Sequence, residues 1–199
     1  MASATEIQGL TYRGDHASSW FLEASNSQVI PFTASHVNAI TWKHFTTGQV
    51  SSRGGFRVLY HDNLMVKAKL GACMELGSST LQVQGHFVSR RYVERERTVF
   101  VWGVRFVTTE GFRVDQGSSL ALALQEDGWS ITTPVEGSDC VVVHDVTRFR
   151  AVRPLSSARD QESPIDADAI AGLVHAAGSQ FIAEWHERWE RLLISSMAP

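Results

Sequence analysis

Residues 166–194, DADAIAGLVHAAGSQFIAEWHERWERLLI, decide how this chain folds. Ile170, Val174, Ala177, Phe181, Trp185, Trp189 and Leu192 recur at steps of three and four, while Glu184, Glu187, Arg188, Glu190 and Arg191 fall mostly outside that stripe. The spacing predicts one long amphipathic helix, Asp166 to Ile194, whose apolar face ends in aromatics. Asp166 or Asp168 suits its first turn, where a carboxylate meets the positive end of the helix dipole.

Everything before that helix, from Phe56 to Val152, reads as strands. In Leu64 to Leu76 the residues Leu64, Val66, Ala68, Leu70, Ala72, Met74 and Leu76 share one face, with Lys67, Lys69 and Glu75 on the other. That period of two predicts a strand with one buried and one wet face. Thr80 to Glu94 repeats it, with Leu81, Val83, Gly85 and Phe87 opposite Gln82, Gln84 and His86. Glu94-Arg95-Glu96 makes a charged turn into Arg97 to Thr108, which is apolar nearly all round and is expected at the centre of the sheet. Leu120, Leu122 and Leu124 alternate with alanines, and Asp127-Gly128 then reads as a hairpin turn into Trp129 to Pro134. Cys140 to Val152 is the last long strand.

The flanks are weaker. Residues 1–30 read as an irregular lead-in with a short strand at Glu6 to Tyr12, and residues 31–199 as one domain. Thr33 to Phe45 predicts a short helix capped by Thr33 or Ser35 and carrying Val37, Ile40, Trp42 and Phe45. Residues 154–164, rich in Ser and charge and bracketed by proline, form the linker before the last helix.

These elements predict an α+β fold: a curved antiparallel sheet of about six to seven strands wrapped around a long C-terminal helix, a helix-grip. One helix about 10 Å across covers only the middle of such a sheet, which leaves room for a cavity between them. Phe87, Phe100, Trp102, Phe106, Phe181 and Trp185 are candidates to line it. The same aromatics equally suit a close-packed core. Arg105, in an otherwise apolar strand, is either a structural ion pair or a ligand anchor, because a buried guanidinium needs a partner. Arg148 raises the same question.

Composition excludes several classes. The 199 residues carry 18 Lys and Arg against 21 Asp and Glu, a net charge of -3, where phosphate-contacting proteins usually show a basic surplus or stripe. No nucleic-acid partner is expected. The N-terminus lacks a signal-peptide pattern and no window has the apolar length of a membrane span. Cys73 and Cys140 sit in apolar runs, as reduced buried thiols do, which fits a cytoplasmic protein.

Catalytic and cofactor motifs are lacking. The eight histidines form no His-Glu-x-x-His, and Cys-x-x-Cys, the Gly-x-Ser-x-Gly elbow and phosphate loops do not occur, so neither a metal nor a cofactor is expected. His144 and Asp145, with His86, are candidates for an acid–base pair or, for His144, a ligand contact. Consecutive strand residues point to opposite faces, so His144 and Asp145 do not both enter one pocket without a bulge.

The segment Arg91-Tyr92-Val93-Glu94-Arg95-Glu96-Arg97-Thr98-Val99-Phe100-Val101-Trp102, with Pro31-Phe32, Ala39 to Trp42, Gly128 to Ile131 and the late helix, resembles START-like (SRPBCC-type) lipid-binding domains. In particular it is similar to the oomycete mating-specific protein family. The resemblance spans roughly Ile30 to Leu193 and implies a hydrophobic-ligand cavity with no invariant catalytic residue. Relatives in that family often carry a basic leucine zipper ahead of the domain, and this chain has neither a basic region nor leucine heptads.

The expected function is therefore binding of a hydrophobic small molecule, a lipid, sterol or similar, as carrier or sensor. The alternatives are a cyclase, dehydratase or hydrolase on the same scaffold, and a protein-interaction module without ligand. Nothing in the sequence addresses the oligomeric state.

Overall fold

The computed structural model describes residues 10–13, 21–47, 55–76, 79–108, 112–115, 118–120, 123–152 and 167–196. The strands are β1 (Leu10–Arg13), β2 (Phe21–Ile30), β3 (Phe56–His61), β4 (Met65–Leu76), β5 (Ser79–Val93), β6 (Thr98–Thr108), β7 (Phe112–Asp115), β8 (Ser118–Leu120), β9 (Ala123–Pro134) and β10 (Val141–Val152). The helices are α1 (Ala34–Thr47) and α2 (Ala167–Ser195). Eight strands form one antiparallel sheet in the order β1-β2-β10-β9-β6-β5-β4-β3, and β7 pairs only with β8. This is the curved sheet with a C-terminal helix that the sequence predicts, with eight strands in place of six or seven. Among the described residues no helix is long and apolar enough to cross a membrane.

The alternation of β4 and β5 places Val66, Ala68, Leu70, Val83 and Phe87 inward and leaves Lys67, Lys69, Gln82, Gln84 and His86 in water. Thr33 caps α1, accepting at Oγ1 from the His36 amide at 3.3 Å. Cys140 is half-buried just ahead of β10, outside the strand in which its apolar run predicts it. The linker expected over 154–164 lies outside the described residues.

Four readings need correction. The first is the irregular lead-in: residues 21–30 are a full strand of the sheet, paired to β1 on one side and β10 on the other. Ser25-Asn26-Ser27 hides it, because two-sided pairing and not β-propensity holds this strand.

The second is the hairpin at Asp127-Gly128, where β9 runs straight through. Gly128 pairs with Trp102 on β6 and Thr147 on β10, and a Cβ there would overlap Cε2 and Cζ2 of the Trp102 indole. The glycine serves close approach and not a turn.

The third is β6. It is interior in the sheet, yet its buried residues Thr98, Phe100, Trp102, Val104 and Phe106 all lie on one face, while Val101, Arg105 and Val107 face water. Arg105 stands in a cross-strand row Arg57–Lys69–His86–Arg105 on the exposed face, so its guanidinium is hydrated and needs no buried partner.

The fourth is the helix stripe. Among the described residues of α2 the buried positions are Gly178, Ile182, Trp189 and Leu193, with Trp185 half-buried among them. Leu193 and not Leu192 is the buried leucine of the last turns, and Gly178 brings the helix onto Leu22 and Phe149. The side chain of Phe181 lies outside the described residues.

The grip closes on α1. Phe45 has its ring centroid 5.6 Å from Phe87, 5.9 Å from Phe100, 5.7 Å from Trp102 and 6.0 Å from Trp185. A second cluster joins Val37, Ile40, Val141, Val143, Trp189 and Leu193, and the Trp189 indole donates to Thr41 Oγ1 at 2.9 Å.

Candidate functional site

The inner face of the sheet is built in cross-strand rows, and two rows make the site. One runs Trp102, Gly128, Thr147, Ala24 across β6, β9, β10 and β2. The next runs Phe100, Ser130, Asp145, Asn26. Because Gly128 has no side chain, the Trp102 ring lies flat across β9. Its Nε1–H donates to Glu126 Oε1 at 2.8 Å. Trp185 of α2 stacks on Trp102 with centroids 6.2 Å apart and planes 13° apart, and Trp189 continues the column at 6.3 Å and 15°.

Beside this column the helix stands off the sheet. A cavity of about 170 Å³ opens between α2 and the β2–β10 pair, lined by Ala24, Asn26, Asp145, Thr147, Ile182 and His186, with Glu187 and Glu190 of α2 also on its wall. A recess of about 20 Å³ adjoins it, sharing Asp145, Thr147, Ile182 and His186 and adding Trp102, Glu126 and Trp185.

The polar groups here are unusual in being buried and under-bonded. Asp145 Oδ1, Glu126 Oε2 and His186 Nδ1 are buried without a hydrogen-bond partner. Burial holds the Glu126 carboxyl up at about 7, with the Trp102 bond pulling the other way and Asp127 adding to the rise. Burial also raises Asp145, opposed by the hydrogen bond from Ser130 and by His186 and His144. Next to the site, His44 touches Trp185 edge-on at 5.0 Å, and burial, with Arg188 nearby, lowers its pKa to about 4. Among the described residues no group of three His, Cys, Asp or Glu side chains is placed to hold a metal.

The residues singled out from the sequence separate into three sets. Phe87, Phe100 and Phe106 are buried in the core around Phe45, and Trp102 and Trp185 belong to that core while also walling the recess. Arg105 and His86 are exposed on the outer face, and His144 shares that face with its cross-strand neighbours Ile131 and Ser27. Arg148 is ion-paired with Glu23 at 2.6 Å, its guanidinium over Trp129. The inward member of the His144-Asp145 pair is Asp145. Glu126 and His186 were not singled out at all. Strand parity finds Glu126, since Leu124, Glu126, Gly128, Ser130 and Thr132 alternate on one face, but only once the false turn at Asp127-Gly128 is removed.

No protein-family model and no curated protein sequence matches the chain. Solved structures are similar to it. The human StarD13 lipid transfer and protein localization domain aligns at 11% identity and TM-score 0.48, covering 94% of this chain and 87% of that one. The Zhui aromatase/cyclase from a Streptomyces species aligns at 10% identity and TM-score 0.47, covering 90% and 99%. TTHA0849 from Thermus thermophilus aligns at 11% identity and TM-score 0.50, covering 88% of this chain and 99% of that one. At that identity the likeness to TTHA0849 is one of fold: this chain has the curved antiparallel sheet and long C-terminal helix of that structure.

Proposed function

We propose that the protein binds a hydrophobic small molecule carrying a polar end, as a carrier or sensor acting in the cytoplasm. One observation carries this reading: a 170 Å³ cavity lies between α2 and the sheet, with unpartnered buried acceptors on its wall. Unsatisfied buried polar atoms are costly, and a ligand donor that reaches them recovers that cost. The volume sets the size. A cavity of about 150 Å³ holds benzene, so the ligand is small, or inserts one end of a longer lipid. The resemblance of Arg91 to Trp102 to the oomycete mating-specific proteins supports the same reading, since it too implies a hydrophobic ligand.

The test is native mass spectrometry and thermal shift with a panel of small apolar compounds, on wild type and on Ala183→Trp, which narrows the cavity from its exposed helix side. Binding that is present in wild type and lost in a folded Ala183→Trp variant supports the reading. Binding unchanged in that variant overturns it.

A second reading, a cyclase, dehydratase or hydrolase on the same scaffold, is favoured by Glu126, whose pKa of about 7 makes both protonation states available near neutrality beside His186. Under that reading Glu126→Gln abolishes turnover while binding persists.

A further inference from the structure

We propose that the cavity selects a small primary amine, its ammonium group seated in the recess against Asp145 and Glu126 and its apolar body lying along Ile182 and Ala24. This rests on the small-molecule reading above and names the chemical class of the ligand.

Three observations converge. The first is charge. Asp145, Glu126, Glu187 and Glu190 line the cavity and its recess, and among the described residues no Lys or Arg lines either. Glu187 on the rim is paired with Arg191 at 3.1 Å, and the carboxyl groups buried within are those of Asp145 and Glu126. Once its inner carboxyls are ionised, a cavity with this wall repels carboxylates and phosphates and attracts a cation.

The second is hydrogen bonding. Asp145 Oδ1, Glu126 Oε2 and His186 Nδ1 are all buried without partners. The oxygens accept when ionised, and the ring nitrogen accepts when its proton sits on Nε2. A primary ammonium carries three donors and no acceptor, so it satisfies each of these atoms that it reaches and adds no acceptor of its own. An alcohol brings one donor and leaves the other acceptors unsatisfied.

The third is shape. A recess of about 20 Å³ has room for one group the size of water. An ammonium is that size, and the adjoining 170 Å³ suits one ring or a short branched chain. The recess also borders Trp102 and Trp185, whose π faces favour a cation over a neutral group.

Proton balance gives a distinctive readout. Ser130 and His186 act on Asp145 from the inner side and His144 from the adjoining strand position, and Trp102 acts on Glu126 from the inner side with Asp127 at the adjoining position. Burial favours the neutral carboxylic acids in the empty site, whereas an ammonium favours the carboxylates. Binding of R-NH3+ to a site holding a protonated carboxyl therefore gives the ammonium–carboxylate pair and one proton released to buffer.

The experiment is calorimetric titration of the full chain with benzylamine, benzyl alcohol and toluene at pH 6 and pH 8. At pH 8 benzylamine is expected to bind at least tenfold more tightly than benzyl alcohol. At pH 6 its binding heat is expected to vary with buffer ionisation enthalpy, in the sense of proton release. Asp145→Asn is expected to bring the two affinities within threefold of each other. Benzyl alcohol or toluene binding as tightly as benzylamine in wild type overturns the amine inference and leaves the small-molecule reading intact. No binding of any of the three overturns both.

Discussion

The Trp102 indole donates its single N–H to the buried Glu126 carboxyl at 2.8 Å, across the bare backbone of Gly128. This one contact joins the aromatic core to the polar recess. Trp102→Phe keeps one aromatic ring but removes the N–H with the pyrrole half of the indole, leaving Glu126 Oε1 as well as Oε2 without a partner. The expected loss is about 1–3 kcal/mol, read as a lower urea midpoint with unchanged slope. A variant as stable as wild type at pH 8 shows that the bond is dispensable.

Gly128 tests the same geometry from below. Gly128→Ala forces the Trp102 ring out of its seat and is expected to cost about 2–3 kcal/mol. Combined with Trp102→Leu, the cost of the alanine should fall below 1 kcal/mol, roughly, because the atoms it strikes are gone. Additive losses in the double variant place the strain elsewhere.

Two buried groups give opposite pH signatures. Glu126 titrates at about 7 in the fold against an ordinary 4.5, so the native state holds the extra proton and stability falls as pH rises from 4.5 to about 7, by about 3 kcal/mol. The upward shift of Asp145 acts in the same direction. His44 titrates at about 4 against 6.5, so the unfolded state holds the extra proton and stability falls as pH drops from 6.5 to about 4, again by about 3 kcal/mol. In wild type these slopes oppose each other. The stability gain of Glu126→Gln over wild type should therefore grow between pH 5 and pH 7, measured by urea unfolding. A gain that is flat with pH removes Glu126 as the titrating group.

The helix is expected to be indispensable to the fold. Trp189 is buried, stacked on Trp185 and bonded to Thr41. Trp189→Ala should cost about 3–5 kcal/mol, and a chain ending at Pro164, which lacks Ile182, Trp185, Trp189 and Leu193 together, should show no dispersed amide spectrum. A folded truncated chain contradicts the packing of α2 against α1 and the sheet.

Arg105 and His144 supply the contrast. Both are on the outer face, and replacing either with Ala should change stability by no more than about 0.5 kcal/mol and leave ligand affinity unchanged in titration. A tenfold affinity loss in either variant moves the site to the other side of the sheet.

Much of this fold is legible in the sequence. Period-two alternation gives β4, β5 and β10 to within a residue or two, and the Glu94–Arg97 turn, closed by the Glu94–Arg97 ion pair at 2.6 Å, separates β5 from β6 as read. What is not legible depends on partners distant in sequence. β2 is polar because its neighbours on both sides supply the pairing. Glycine at 128 looks like a turn because nothing local reveals the indole lying over it. The site is harder still, since Asp145, Glu126 and His186 come from three elements and meet only through strand register and the phase of α2. The aromatics are easy to find, but Phe45 of α1 occupies the space in which a ligand was expected among them.

The pairing of β2 with β10 has a consequence for how the molecule assembles. Glu23 and Arg148, ion-paired across these two strands, lie 125 residues apart in the chain. Contacts of such separation form late and slowly, because a long loop must close before they add stability. Until β10 emerges, β2 has only the four residues of β1 beside it and presents an open edge. The wall of the cavity is thus the last part of the sheet to be completed.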